Sequence, residues 1–363
     1  SLLNGVVNDC PSLLLEPQST NIIPYSEDFS NSNWSTSRIE TPYVSDVLSP
    51  EGTLNAYTLE ISSGETNGGG VFKTGLSISG DNSFSVFAKK KTSKYLALGD
   101  GNLTVNGVWF DLENGTIGTQ YNAIGEIEEF GNGWYKCTMK YTLTSSNAKF
   151  IYQSNTDGAT SGGVVGGDSV YIFGAQLEEQ SYPTSYIPTS GSAVTRVAET
   201  ATGSGDANTF NDSEGVLMAE IKNFGFGTNY ISLNTGNNTQ KIMIGLLSNS
   251  SIRIFVQGTS GDFFQDISST NIEFNKILIK YKQNDFSLWI NGFELYVNTS
   301  SITFNNLSSL DFYNPYLSGS DNFYGSTKQI QYYDSALNDS ELETLTSWTS
   351  FKEMAKGQQY SIK

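Results

Sequence analysis

The chain has no histidine and only two cysteines, Cys10 and Cys137, in 363 residues. Without His, Ser-His-Asp and Cys-His nucleophilic sites are excluded, as are His-ligated zinc and haem. Two cysteines build neither a disulfide framework nor a four-cysteine metal site. Charge is scarce as well, at 16% of residues, against about 25% in average soluble domains. Basic residues are the scarcer sign: 20 Lys+Arg stand against 37 Asp+Glu, a net charge of −17. Nucleic-acid binding needs a basic face, so that class is disfavoured. No apolar run approaches the roughly 20 residues of a membrane-spanning helix. No secretory leader is recognisable, and the first residue is Ser, so a missing N-terminal segment is expected. The Asn-X-Ser/Thr sequons at Asn102, Asn237 and Asn298 read as chance in so Asn-rich a chain.

Glycine (36 residues) and aromatic residues (13%) are plentiful. The aromatics favour strands and exclude a disordered chain. Apolar residues alternate with polar ones along almost the whole length. Phe84, Val86 and Ala88 interleave with Ser83 and Ser85; Ile252, Ile254 and Val256 with Arg253 and Phe255; Phe286, Leu288 and Ile290 with Ser287 and Trp289. Each run reads as a half-buried antiparallel strand. Gly-rich turn clusters separate them, and Asn291-Gly292 predicts a type I′ hairpin. The same alternation puts Cys137 on a buried face, where it is an inert small hydrophobe. The expected class is all-β, two antiparallel β-sandwiches (jelly rolls) in series with short C-terminal helices. Asn338 and Glu341 form a capping box, with Leu337 and Leu342 as its staple, predicting a helix from Asp339 to about Ser347. Ser350 and Glu353 predict a second, ending near Gly357. Pro183 and Pro188 interrupt the alternation within 179–192, which reads as an ordered strap anchored by Tyr182 and Tyr186. The expected domains are therefore 1–198, 199–349 and a helical tail, 350–363.

The opening run from Cys10 to Trp34, the Gly133-Trp134-Tyr135 step, the run from Gly174 to Thr189 and the pair Thr195-Arg196 resemble bacteriophage head spike, head fibre and tail fibre proteins. The same stretch looks like a carbohydrate-binding-module jelly roll, with Ser30 where such modules often carry Glu. Gly215 to Glu220, Leu288 to Gly292 and Gly325 to Leu342 resemble the concanavalin A-like, laminin-G fold. These resemblances imply a non-enzymatic virion spike or fibre, made in a bacterial cytoplasm and binding host-surface glycans during adsorption. They also imply a homotrimer that contacts other virion proteins. A purely structural assembly protein and a capsule depolymerase are the alternatives. Glu27, Asp28 and Asp168 sit in the opening and closing strands, which are neighbours in jelly-roll modules. They are therefore the expected ligands of a Ca²⁺ ion, set against a reading as exposed turn carboxylates.

For the glycan, the loop from Asp311 to Tyr324 combines rings with polar groups. Tyr313, Tyr316 and Tyr324 are expected to stack, with Asn314 and Asp321 accepting hydroxyl protons; plugging the sandwich end is the structural alternative. Glu126, Glu128 and Glu129 read as a solvated acidic sheet edge rather than a catalytic pair. The Gly162–Gly167 run reads as a loop, and Trp34, Trp134 and Trp289 as core.

Overall fold

Alternating sequence becomes paired strands wherever one face can be buried. The computed structural model describes residues 12–142, 148–223, 227–247, 251–268, 274–316 and 321–348, with the backbone of 2–3 and 6–7. Cys10, Leu317 to Ser320 in the aromatic loop, and the expected helix beginning at Ser350 lie outside the described residues. The rest is all-β with antiparallel sheets forming β-sandwiches, plus one short helix, Asp339–Thr346. The chain divides into two units.

The first unit holds Gln18–Val197. One six-stranded sheet runs in the order Thr116–Tyr121, Gly107–Asp111, Tyr95–Asp100, Lys149–Ser154, Gly69–Lys73, Ser35–Ser37. The other runs Ile124–Glu129, Trp134–Thr142, Asp81–Lys90, Ser169–Glu178, Tyr57–Glu60, Tyr43–Val44. Their inner faces meet in a core that includes Phe29, Trp34, Phe84, Val86, Leu98, Phe110, Cys137 and Ile172. At the end of that core Lys149 and Asp100, cross-strand partners, form a fully buried ion pair, Nζ to Oδ1 2.6 Å. The strand Ile124–Glu129 is a sheet edge, and Glu126 pairs with Lys140 across it.

The strap packs on this unit. Tyr186 sits against Phe87 and Phe173 in a second apolar cluster that also holds Trp134. Trp134 is therefore buried, as expected, in a cluster on the outer face of this sheet. Asn21 ties three segments together. Ser169–Glu178 shifts register against Asp81–Lys90 between Phe173 and Gln176, which frees backbone groups there. The Asn21 amide donates to Ala175 O (3.1 Å) and Ile187 O (2.8 Å), and its Oδ1 accepts from the N–H of Leu177 (3.1 Å) and Ile23 (3.2 Å). Glu178, also buried, accepts from Ser19 Oγ (2.5 Å) and from Thr184 Oγ1 (2.5 Å) and N–H (3.0 Å).

The second unit runs from Ala198 but also includes the stretch 12–17. This corrects the expected division, which gave all of 1–198 to the first domain. The reason is a sheet edge: Leu13–Leu15 pairs with Gly325–Tyr333, and Leu15 enters the second core. That six-stranded sheet runs Phe293–Asn298, Phe286–Ile290, Asn275–Lys282, Glu214–Asn223, Gly325–Tyr333, Leu13–Leu15. The facing sheet has five strands: Gly261–Ser268, Ser251–Gly258, Lys241–Leu246, Asn229–Asn234, Ser309–Asp311. The helix carries the expected capping box at Asn338 and covers the outer face of the six-stranded sheet, where Leu342 packs with Val216, Met218, Leu278 and Trp289. Trp289 thus lies under the helix rather than between the sheets.

Replacing Asn21 by Ala leaves several buried backbone groups unpaired, at about 1–3 kcal/mol for each group stranded. The expected outcome is a lower melting transition for the first unit with the second unchanged. Unaltered melting of both would show that solvent satisfies those groups.

Candidate functional site

The outer face of the five-stranded sheet follows from strand parity. Ile231, Leu233, Ile242, Ile244, Ile252, Ile254 and Val256 point into the core. Their neighbours Tyr230, Lys241, Met243, Arg253, Phe255 and Gln257 therefore point out. Register aligns them: Lys241 opposes Gln257, Met243 opposes Phe255, and Gly245 stands opposite both Tyr230 and Arg253. Gly245 leaves room for the Tyr230 ring, since a Cβ there would lie 2.4 Å from Tyr230 Cε1. Asn238, Asp262, Asn314 and Tyr316 complete a cleft of ≈ 370 Å³.

Two cations shape its electrostatics. Arg253 forms a fork with Asp266, Nε to Oδ1 2.6 Å and Nη2 to Oδ2 2.7 Å, and its guanidinium lies 5.1 Å from the Phe264 ring centroid. The fork holds the Asp266 carboxyl below its ordinary range. Lys241 Nζ lies 5.4 Å from the Phe255 ring centroid and 5.2 Å from that of Tyr316, and it donates to Asn238 Oδ1 at 2.5 Å. Burial pushes the Lys241 pKa down.

Of the residues singled out in the aromatic loop, Asn314 and Tyr316 line this cleft. Tyr316 is 64% exposed, a flat ring presented at the cleft. Asp321 supports Asn314, whose N–H donates to Asp321 O (3.2 Å) and whose amide reaches Asp321 Oδ2 (3.4 Å). Tyr313 and Tyr324 do not line the cleft and are half-buried. Tyr313 offers its carbonyl to Ser232 Oγ (2.8 Å), and Tyr324 takes Asn229 Oδ1 through its N–H (2.9 Å). Sequence reading missed Tyr230, Lys241, Arg253, Phe255 and Gln257. Their signal was the outward half of an alternation whose inward half alone was used.

The expected three-carboxylate Ca²⁺ site is not assembled. Ser26 meets the closing strand at Ala175, whereas Asp168 precedes that strand, seven residues earlier. At strand spacing that is roughly 20 Å away. Asp168 Oδ2 instead accepts from Asn155 Nδ2 (3.0 Å) and Val165 N–H (2.9 Å). Among the described residues, no group of three Asp, Glu, Cys or His gathers as a metal site. Glu27 and Asp28 do share a cleft of ≈ 340 Å³ with Tyr25, Tyr57 and Thr189. There Glu27 accepts from Tyr186 OH (3.2 Å), and Asp28 from Ser30 Oγ (2.7 Å) and Tyr57 OH (3.1 Å).

No protein-family model matches the chain, and no curated protein matches it. Solved structures share its architecture at low identity. The CBM40 module of the Ruminococcus gnavus IT-sialidase, bound to α2,3-sialyllactose, is 16% identical with a TM-score of 0.34, over 41% of this chain and 94% of that one. Domains LG4-5 of the mouse laminin α1 chain are 10% identical with a TM-score of 0.29, over 76% of this chain and 90% of that one. The heptameric SAP-like pentraxin of Limulus polyphemus is 12% identical with a TM-score of 0.32, over 39% of this chain and 73% of that one. Values this low carry no argument about a ligand.

One pH dependence follows from the first cleft. Burial, and then repulsion from Glu51, raise the Glu27 pKa above 4.5. The folded carboxyl keeps its proton to higher pH than the unfolded one, so this position loses stability as pH rises from about 4.5 through the folded value. Glu27→Gln should raise the melting temperature of the first unit at neutral pH, and the gain should fade on acidification. A variant equally stable with wild type at neutral pH would contradict it.

Proposed function

We propose that the chain is a non-catalytic saccharide-binding protein whose second sandwich holds a sugar in the cleft over its five-stranded sheet. One observation carries the reading: exposed Tyr316 stands beside Tyr230, Phe255, Asn314, Gln257 and Asn238 in one open cleft. A pyranose presents an apolar C–H face and a rim of hydroxyls, and this lining offers rings and amides to match. A hydrolase would need two carboxylates flanking the scissile bond, whereas Asp262 is the carboxylate that lines the cleft. The finer proposal is an adsorption protein on a bacteriophage particle, present as a trimer; the resemblance of the opening and closing segments supports it. Linked copies would multiply a weak single-site affinity.

A second reading, virion assembly, has its own support. Phe293, Leu295 and Val297 form an exposed apolar row on an edge strand, the kind of surface that marks contact with another chain.

A glycan array probed with the full chain and with Tyr316→Ala separates the two. The expected result is binding to at least one glycan, weakened roughly 3- to 10-fold by the loss of one stacked ring. Binding that ignores Tyr316→Ala would move the site away from this cleft. No glycan binding at all, together with self-association abolished by Leu295→Asp, would favour assembly.

A further inference from the structure

We propose that the cleft selects saccharides bearing a carboxylate, and that the Lys241 ammonium is the group that reads it. The inference rests on the saccharide reading of the cleft and adds the chemical class of its ligand.

Lys241 is 3% exposed yet lines the cleft. Among the described residues its one hydrogen-bond acceptor is Asn238 Oδ1, and no carboxylate lies within ion-pair distance. Two other buried lysines have carboxylate partners, Lys149 with Asp100 and Lys280 with Asp285 at 2.8 Å, and Lys136 donates to Thr184 O at 2.7 Å. A buried charge is costly unless paired. Two ring faces compensate Lys241 in part, and its lowered pKa fits a cation that still lacks an anion. The other charged groups at the cleft do not supply one. Arg253 is committed to Asp266 by both arms of its fork, and Asp262 is not paired with Lys241. A sugar seated in the cleft beside Tyr316, with its carboxylate turned to the sheet, would complete the pair.

The test uses the full chain with polygalacturonate, hyaluronan and polysialic acid, each beside its methyl ester. Esterification keeps the sugar rings and removes the charge. At least one acidic polymer should bind about 10- to 100-fold tighter than its ester, the range of one charge-assisted hydrogen bond. Lys241→Gln should erase that difference, and Lys241→Arg should retain most of it. Esters that bind as well as acids overturn the proposal. So does a Lys241→Gln variant that weakens both forms alike, which would make Lys241 a prop for the Tyr316 ring. So does Tyr316-dependent binding of neutral glycans without any acidic polymer. In these three cases the saccharide reading survives. Failure of every saccharide, neutral or acidic, sinks both. If Lys241→Gln does not fold, the acid–ester comparison on the unaltered chain decides.

Discussion

Packing two sheets together buries only their inner faces, and each outer face must then be roofed or left to water. Much of this chain is spent on that problem. In the first unit the outer face of the sheet containing Asp81–Lys90 takes Tyr186 and the strap. The opposite outer face carries Trp109, Tyr152, Tyr121 and Tyr95. Loops close over it: Leu103 packs there, and Tyr121 OH and Tyr152 OH donate to Gly158 O (3.2 Å) and Thr160 O (3.1 Å). In the second unit the helix roofs Trp289. Among the described residues no such segment covers the five-stranded sheet, and its outward side chains line the open cleft.

Roofing segments must be fastened, and the fastening explains two conspicuous buried polar residues. Asn21 has one acceptor and one two-proton donor, and all of that capacity is used. An apolar residue in its place would strand the backbone groups released by the register shift between Phe173 and Gln176. Glu178 does the same through its carboxylate, holding hydroxyls from both the opening segment and the strap. Lys136 adds a third tie, Nζ to Thr184 O at 2.7 Å. Interior polar groups with complete partners fix one arrangement of the chain. Here that arrangement joins residues more than 150 positions apart, as the Asn21–Leu177 bond shows.

The fold was legible because period-two patterning and turn chemistry are local. Asn291 (φ 51°) and Gly292 (φ 92°) both adopt the left-handed conformation that a type I′ turn requires. The Asn338 cap closes as its spacing implied. Trp289 is buried as expected, and its parity set it on the face opposite Leu288 and Ile290, but the strand itself does not say that a helix covers that face. Leu13–Leu15 was assigned to the wrong unit. A three-residue edge strand is chosen by whichever sheet offers a free edge, and no local pattern names that sheet. The cleft was half legible. A window along the loop finds Asn314 and Tyr316, but Lys241 comes from one strand and Arg253 and Phe255 from the next, and they join the loop only through tertiary structure. The carboxylate trio failed on distance: adjacent strands bring together residues at the same height, and Asp168 stands at the far end of the closing strand from Glu27.

Charge distribution gives the uncovered face its chemical character. An acidic chain repels anions at long range, yet screening confines that repulsion to about 8 Å at physiological ionic strength. Within a cleft, recognition is decided by the nearest groups and by how dry they are. Arg253 and Asp266 satisfy each other in a geometry that fixes both, so they stiffen the sheet rather than add a free charge. Lys241 is different: its stem is buried along the sheet, its ammonium is held between two rings, and its neighbours supply one amide oxygen. A lysine needed only to fill space between Phe255 and Tyr316 could be replaced by an apolar chain at no cost in desolvation. Retaining the charge there makes physical sense where an anion arrives to meet it.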